Sequence, residues 1–278
     1  MFIPQNTPQR WRIGLNWLQW GQAISMNFNT SNIKANVVFD GSWNHIHGLV
    51  SWATHVAAGG INSGWVYDFD WVNDYIELND GTPTFYANGF TIMADIKADT
   101  IGAIGWRIFD KTFANNGALN GIHLYMGANI LRTAINGGSL IDSAGSAITY
   151  GTKYRIAVSY DSTGLVTFYV NGAVSWTPAS TNPPSQITTT TNARIGNRAT
   201  ATDRAFDWYI GNFRIFSRVL TAAEISADYS ALKDARSFVW IPKLTTTLRD
   251  AIVSPPNPYQ IYNTTASAYQ TWNWAAWV

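Results

Sequence analysis

Hydrophobic positions along this chain recur at every second residue over short runs, the mark of half-buried strands. Tyr154, Ile156, Val158 and Tyr160 alternate with Arg155, Ala157 and Ser159. Val166 to Val170 follows a Ser-Thr-Gly turn, and Ala173 to Trp176 follows Asn171-Gly172. An Asn-Gly pair between two such runs predicts a two-residue hairpin, because a type I′ turn needs positive φ at both central positions. Phe90 to Ile96, Trp106 to Asp110, Ile122 to Met126, Leu131 to Ile135 and Tyr209 to Phe216 read the same way, with Gly, Asn, Asp and Pro clusters between them. Ala23 to Phe28 is the expected first strand.

One helix is predicted. Thr221-Ala222-Ala223-Glu224 is a capping box, in which the Thr hydroxyl and the Glu carboxylate each satisfy a backbone N–H, and good helix formers run on to about Leu232. The rest reads as strand and turn, which predicts an all-β fold, a two-sheet antiparallel sandwich or jelly roll. A single all-β domain reaches roughly 200–250 residues, so one domain with end extensions suits the chain. The divisions expected are an N-terminal arm over 1–11, the jelly roll over 12–232 and an extension over 233–278. Pro242, Pro255, Pro256 and Pro258 interrupt that extension, and Trp272, Trp274 and Trp277 crowd its end. A terminus normally frays, so these rings either pack on their own domain or dock on a neighbouring subunit.

Composition narrows the class. The chain is 46% hydrophobic and 13% charged, with a formal net charge of +1, which excludes a disordered polyelectrolyte. Near-neutrality also removes the usual electrostatic case for nucleic acid. No window approaches ~20 consecutive apolar residues, so no membrane span is expected. The absence of Cys excludes disulfide frameworks and thiolate chemistry. Met1 to Asn6 lacks the basic and apolar regions of a secretory signal, while the Thr-, Ser-, Asn-, Gly- and Trp-rich composition suits an extracellular or virion setting.

Several segments taken in order resemble the laminin-G-like, concanavalin A-like jelly-roll family. They are Asp40-Gly41-Ser42-Trp43-Asn44-His45-Ile46-His47-Gly48, Tyr67 to Leu78, Phe90 to Ile96, Gly151 to Asp161, Phe168-Tyr169-Val170-Asn171-Gly172, and Tyr209 to Thr221. The resemblance spans roughly 12–232 and implies the two-sheet sandwich. It implies no single function, because such folds serve lectins, adhesins, enzymes and virion proteins. Two positions depart from the family pattern. Trp43 stands where Gly is usual, and Gly211-Asn212 stand where an acidic pair is usual, which removes two potential cation ligands.

The candidate chemistry follows. Relatives often hold one calcium at a sandwich edge, and calcium needs six to eight oxygens. Asp40, Asn44, Asp70 and Asn73 are the ligands the matched motifs offer. Asp and Asn equally populate loops with no metal. A sugar platform would use Trp43, Trp65, Trp71 and Trp106, which otherwise fill core. His45, His47 and His55 are spaced for a metal face, but the family pattern gives His47 a structural place. Glycoside hydrolysis needs two carboxylates about 5 Å or about 6.5–9.5 Å apart. Glu77 and Glu224 are the sole glutamates, and Glu224 caps the helix; Asp68 and Asp70 share a strand face. Arg194, Arg198, Arg204, Arg214 and Arg218 lie among Asp203 and Asp207, which suits surface pairing or a subunit rim.

The leading expectation is a non-catalytic structural or decorating subunit of an extracellular assembly, such as a phage or virus particle, with other subunits as partners and weak adhesion to cell-surface glycans. The alternative is a soluble carbohydrate-binding or adhesion module of a secreted protein. The third is a glycan-active enzyme.

Overall fold

The alternating runs form strands in the computed structural model, which describes residues 22–28, 33–34, 36–42, 44–79, 88–99, 105–112, 121–135, 140–143, 145, 147–176, 189–234, 243–244, 246–247, 259–263, 265–266 and 268–272. In chain order they are β1 (Gln22–Met26), β2 (Ile33–Lys34), β3 (Val37–Val38), β4 (Gly48–Ser51), β5 (Thr54–Val56), β6 (Val66–Asp70), β7 (Tyr75–Leu78), β8 (Phe90–Ala98) and β9 (Trp106–Thr112). There follow β10 (Gly121–Gly127), β11 (Ile130–Ile135), β12 (Ile141–Asp142), β13 (Lys153–Tyr160), β14 (Val166–Val170), β15 (Ala173–Trp176), β16 (Arg194–Ile195), β17 (Asp207–Phe216) and helix α1 (Ala222–Asp234). The first strand starts at Gln22 and stops at Met26, short of Phe28, whose φ of 53° leaves the extended region.

Two antiparallel sheets result. One has eight strands in the order β15-β14-β13-β8-β17-β6-β5, with β1 also on β17. The other has nine, in the order β12-β11-β10-β9-β16-β7-β4-β3-β2. The long β17 serves two neighbours on one edge: Asp207–Gly211 pair with β6, and Phe213–Phe216 pair with β1. The switch falls at a bulge where Asn212 has φ 44°. The core lies between the sheets. Ile92, Ile96, Ile156, Val158, Ile210 and Phe213 meet Ile76, Ile108, Phe109, Ile122, Leu124 and Leu131. Phe109 and Phe213 stack across the gap at 5.5 Å.

Local rules account for the turns. Asn171 and Gly172 have φ 51° and 80°, the type I′ geometry, and join β14 to β15. Glu224 Oε2 accepts from Thr221 N–H at 2.8 Å and Thr221 Oγ1 accepts from Glu224 N–H at 3.2 Å, closing the capping box.

Helix α1 covers the outer face of the eight-stranded sheet. Met93, Ala157, Tyr169 and Phe216 form a second small core with Leu220 and Ile225. Beside it, Arg155 bridges Asp95 and Asp228, and Arg214 binds Asp228 bidentately at 2.9 and 2.7 Å. All four side chains are buried. The expectation of surface pairing thus fails for Arg214. The sheet's outward residues and the polar side of α1 meet face to face, and charge is tolerated there because each group has its counterpart.

The chain divides into two compact units, Met1–Lys233 and Asp234–Val278. In the second, β18 (Lys243–Leu244) runs parallel to β19 (Tyr259–Asn263), and β20 (Ala268–Trp272) pairs antiparallel with β19. Trp272 ends β20, while Trp274, Trp277 and the arm 1–11 lie outside the described residues. No helix among the described residues is long and apolar enough to cross a membrane.

Candidate functional site

The outer face of the nine-stranded sheet carries a continuous row of side chains. Cross-strand pairing aligns Leu49 on β4 with Glu77 on β7, Glu77 with Arg194 on β16, Arg194 with Asp110 on β9, and Asp110 with His123 on β10. Alternation puts these residues outward because Ile76, Leu78, Ile122 and Leu124 point into the core. The row runs from solvent at Leu49 to full burial at Asp110 and His123.

At the solvent end stands an aromatic pair. Trp52 is 67% exposed and meets the half-buried Tyr75 edge to face at 6.1 Å. The Arg194 guanidinium lies 3.9 Å over the Tyr75 ring and donates from Nε to Glu77 Oε2 at 3.0 Å. Its Nη1 donates to the carbonyls of Arg198 and Ala201 at 3.1 and 3.2 Å. Arg194 is therefore held rigidly, so ring, cation and carboxylate keep one geometry. Trp52 has φ 61° and Trp71, 60% exposed, has φ 67°. Bulky residues rarely hold left-handed backbone, and such strain concentrates at functional sites. The turn after β4 carries Trp52 and the loop before β7 carries Trp71. Ser51 pairs with Tyr75, so both leave the same end of the β4–β7 pair.

At the buried end, residues 196–206 fold across the sheet. Gly196 N–H donates to Ile108 O and Phe206 N–H to Gly196 O, which tie the segment down at 3.1 and 2.6 Å. Gly196 has φ +84°, and a Cβ there would collide with the Phe69 ring. Asp110 forms an ion pair with Arg107 Nε at 2.8 Å and accepts from Thr112 Oγ1 at 2.7 Å and from Ala199 N–H at 3.3 Å. Arg107 stacks over Tyr125 at 4.6 Å. His123 is 3% exposed, and neither ring nitrogen has a hydrogen-bond partner among the described residues. Burial, with Arg107 and Arg198 near it, pushes its imidazole down to about 3.

The predicted site residues separate. Trp71 is on the surface, Trp65 stacks flat on His55 at 4.8 Å at the core margin, and Trp43 lies outside the described residues. Trp106 is 3% exposed and belongs to the core, so it offers no platform. A bulge opposite Leu124 and Tyr125 sets which β9 residues turn inward, and the sequence carries no sign of it. Trp52, Tyr75, Arg194 and His123 were not singled out as ligand-binding residues. No local pattern distinguishes them from ordinary outward strand residues.

The calcium set does not fit the ion. Asp40 Oδ1 accepts from Ser25 and Ser42 N–H at 2.7 and 2.8 Å, and Oδ2 from Ile46 N–H and Ser42 Oγ at 2.9 and 2.6 Å. Its carboxylate is spent holding the loop that the Asp40–Gly48 motif builds. Asn44 Nδ2 donates to Ala23 O at 2.9 Å, and Asp70 Oδ1 accepts from Val72 N–H at 3.0 Å. Asn73 is half-buried in the loop between β6 and β7. Among the described residues no group of three His, Cys, Asp or Glu side chains could hold a metal. Two of these histidines are structural: His47 Nδ1 accepts from Asp40 N–H at 3.1 Å, and His55 Nε2 bonds Phe28 O at 2.6 Å.

Carboxylates elsewhere are informative. Asp68 and Asp70 stand near Asp207, and desolvation with those like charges raises Asp68 above its ordinary value. Asp74, buried behind them, accepts from Asp70 N–H at 2.9 Å, and burial raises it to about 6. Glu77 lies on the nine-stranded face and Glu224 caps α1 beside Arg218 on the other, so the two glutamates cannot act as a pair.

No curated protein matches the sequence. Solved structures match the fold. A botulinum neurotoxin type C structure, whose cell entry is described as dependent on two ganglioside molecules, aligns at 13% identity over 78% of this chain and 53% of its own, with TM-score 0.57. A Trypanosoma rangeli sialidase mutant aligns at 14% identity over 76% of this chain and 33% of its own, with TM-score 0.59. Domain 4 of an extracellular GH43 arabinanase from Geobacillus stearothermophilus, in complex with arabinotriose, aligns at 16% identity over 75% of this chain and 97% of its own, with TM-score 0.56. The chain thus spans about half the toxin structure, a third of the sialidase and nearly all of the arabinanase domain. Residues 70–226, more than half of the sequence, match Laminin_G_3 of the concanavalin A-like lectin/glucanases superfamily, and the chain belongs to that family.

Proposed function

We propose that the chain is a non-catalytic carbohydrate-binding module of an extracellular protein. The observation that carries this reading is the Trp52–Tyr75 pair with Arg194 and Glu77 beside it on the nine-stranded sheet. A pyranose has an apolar C–H face that stacks on an aromatic ring and equatorial hydroxyls that hydrogen-bond to planar polar groups. The site supplies both in a fixed geometry, and its tryptophan is strained and largely exposed. The arabinanase domain solved with arabinotriose lends support at the level of the fold. The separation of Glu77 from Glu224 favours binding over hydrolysis.

The test is retention on immobilised polysaccharides, followed by titration calorimetry on whichever is held. Trp52→Ala is expected to weaken binding by about tenfold or more, as loss of a central aromatic anchor does. Trp71→Ala reports whether the platform extends into the loop before β7. No retention on any glycan, or an unchanged affinity in Trp52→Ala, overturns the reading.

The assembly-subunit reading rests on the separate C-terminal unit, Asp234–Val278. Light scattering on the full chain and on a version ending at Lys233 tests it. Defined oligomers that the truncation abolishes favour it; monomers in both remove self-assembly through the tail.

A further inference from the structure

The buried end of the polar row has an asymmetry of charge. Arg107 and Arg198 are both buried, as are Asp110 and His123. Arg107 and Asp110 close on each other at 2.8 Å. Asp203 pairs with Arg198 at 3.3 Å, but its side chain is 58% exposed on the bend at 202–204, while that of Arg198 is 4% exposed. A carboxylate that pairs with this buried cation is thus held at the surface, on a bend whose base is tied down at Gly196 and Phe206. His123 stands beside the same arginines with both ring nitrogens unsatisfied among the described residues. Unpartnered buried nitrogens are rare, because each costs its full desolvation.

We propose that this corner binds a carboxylate of the ligand, which displaces Asp203 from Arg198 and accepts a hydrogen bond from His123, so that the module prefers acidic sugars over neutral ones. The proposal rests on the carbohydrate reading and names the ligand class within it. Exchanging one carboxylate for another keeps the local charge constant, so the step leaves no buried charge unpaired. A guanidinium recognises a carboxylate by parallel N–H donors, a geometry that a sugar hydroxyl does not match. The reach is suitable. Glu77 and His123 lie three strands apart, at about 4.8 Å per strand, so the exposed and buried ends of the row are about 14 Å apart, the span of a short oligosaccharide. Its neutral end would stack on Trp52 and its acidic end would meet Arg198.

The experiment titrates the full chain with short oligosaccharides ending in galacturonate, glucuronate or sialate, each beside its methyl ester. The ester keeps the sugar ring and removes the charge. The expected result is about tenfold tighter binding of at least one acid than of its ester, in keeping with a charge-assisted hydrogen bond. Asp203→Asn removes the internal competitor at an exposed position. It is expected to tighten the acid by about threefold, within the range of an exposed ion pair, and to leave the ester unchanged. Acid and ester binding alike, with both lost in Trp52→Ala, overturns this inference and leaves the carbohydrate reading intact. Acid preference that Asp203→Asn does not strengthen overturns the displacement. Binding of no oligosaccharide, acidic or neutral, overturns both.

Discussion

On the outer face of the eight-stranded sheet, Arg155 and Arg214 meet Asp95 and Asp228, and all four are buried under α1. On the outer face of the nine-stranded sheet, Arg107 and Arg198 are buried with Asp110 and His123, while Asp203, an ion-pair partner of Arg198, stands in solvent. The first set is balanced and sealed by a helix. The second is completed by a group that can leave. Buried charge with its counterpart fixed beside it is a structural element. Buried charge whose counterpart sits on a surface bend is poised for exchange.

The largest way to break this contrast is Arg155→Ala. It strands Asp95 and leaves Asp228 with Arg214 alone, and removing one partner of a buried ion pair costs about 3–5 kcal/mol. Urea unfolding should show that loss, or the variant should fail to fold.

The next is pH. His123 is held neutral in the fold with its imidazole pushed down to about 3 from its ordinary 6.5. Below 6.5 the unfolded chain takes up a proton that the folded chain refuses until about 3, so stability falls as pH falls across that window. Between pH 7.5 and 4.5 the loss is about 2.5 kcal/mol by linkage, and His123→Phe should remove it. Asp74 acts with the opposite sign. Its carboxyl is raised to about 6 from 3.8, so the fold gains stability as pH falls from 6 towards 3.8. Asp74→Asn should therefore steepen the acid loss in a denaturation series run at each pH.

A smaller effect separates strain from packing. Trp52→Gly places at φ 61° the residue that adopts it at least cost, and should stabilise the chain by up to about 1 kcal/mol while abolishing glycan binding. A melt that falls instead would make Trp52 a packing residue. The smallest is Asp203→Asn, whose exposed pair contributes about 0–1 kcal/mol, so its melting temperature should barely move. A large loss there would place Asp203 with the structural network, not the exchangeable one.

Much of the architecture was readable because it rests on neighbours in the chain. Asn171-Gly172 made its hairpin, Thr221 and Glu224 made their cap, and the family segments fell on the expected strands. The site was less readable. Trp65, Trp71 and Trp106 are alike in sequence, yet one stacks on His55, one is in solvent and one is in the core. Asp40 has the chemistry of a cation ligand, and the fold uses all of it on backbone and hydroxyl donors. The arginines between 194 and 218 read as surface pairs, yet Arg198 and Arg214 are buried, one in each of the two sets.

Turns, the helix cap and the alternating strands follow from residues within a few positions of one another, whose preferred φ and hydrogen bonds act locally. Which face a residue takes, and which charge lies opposite it, follow from strand register and bulges. Glu77, Arg194, Asp110 and His123 come from four strands spread between residues 75 and 195 and became one row when the sheet paired. No pattern along the chain encodes that row, because it is an arrangement across strands, set by packing and hydrogen bonding between segments that the sequence keeps apart.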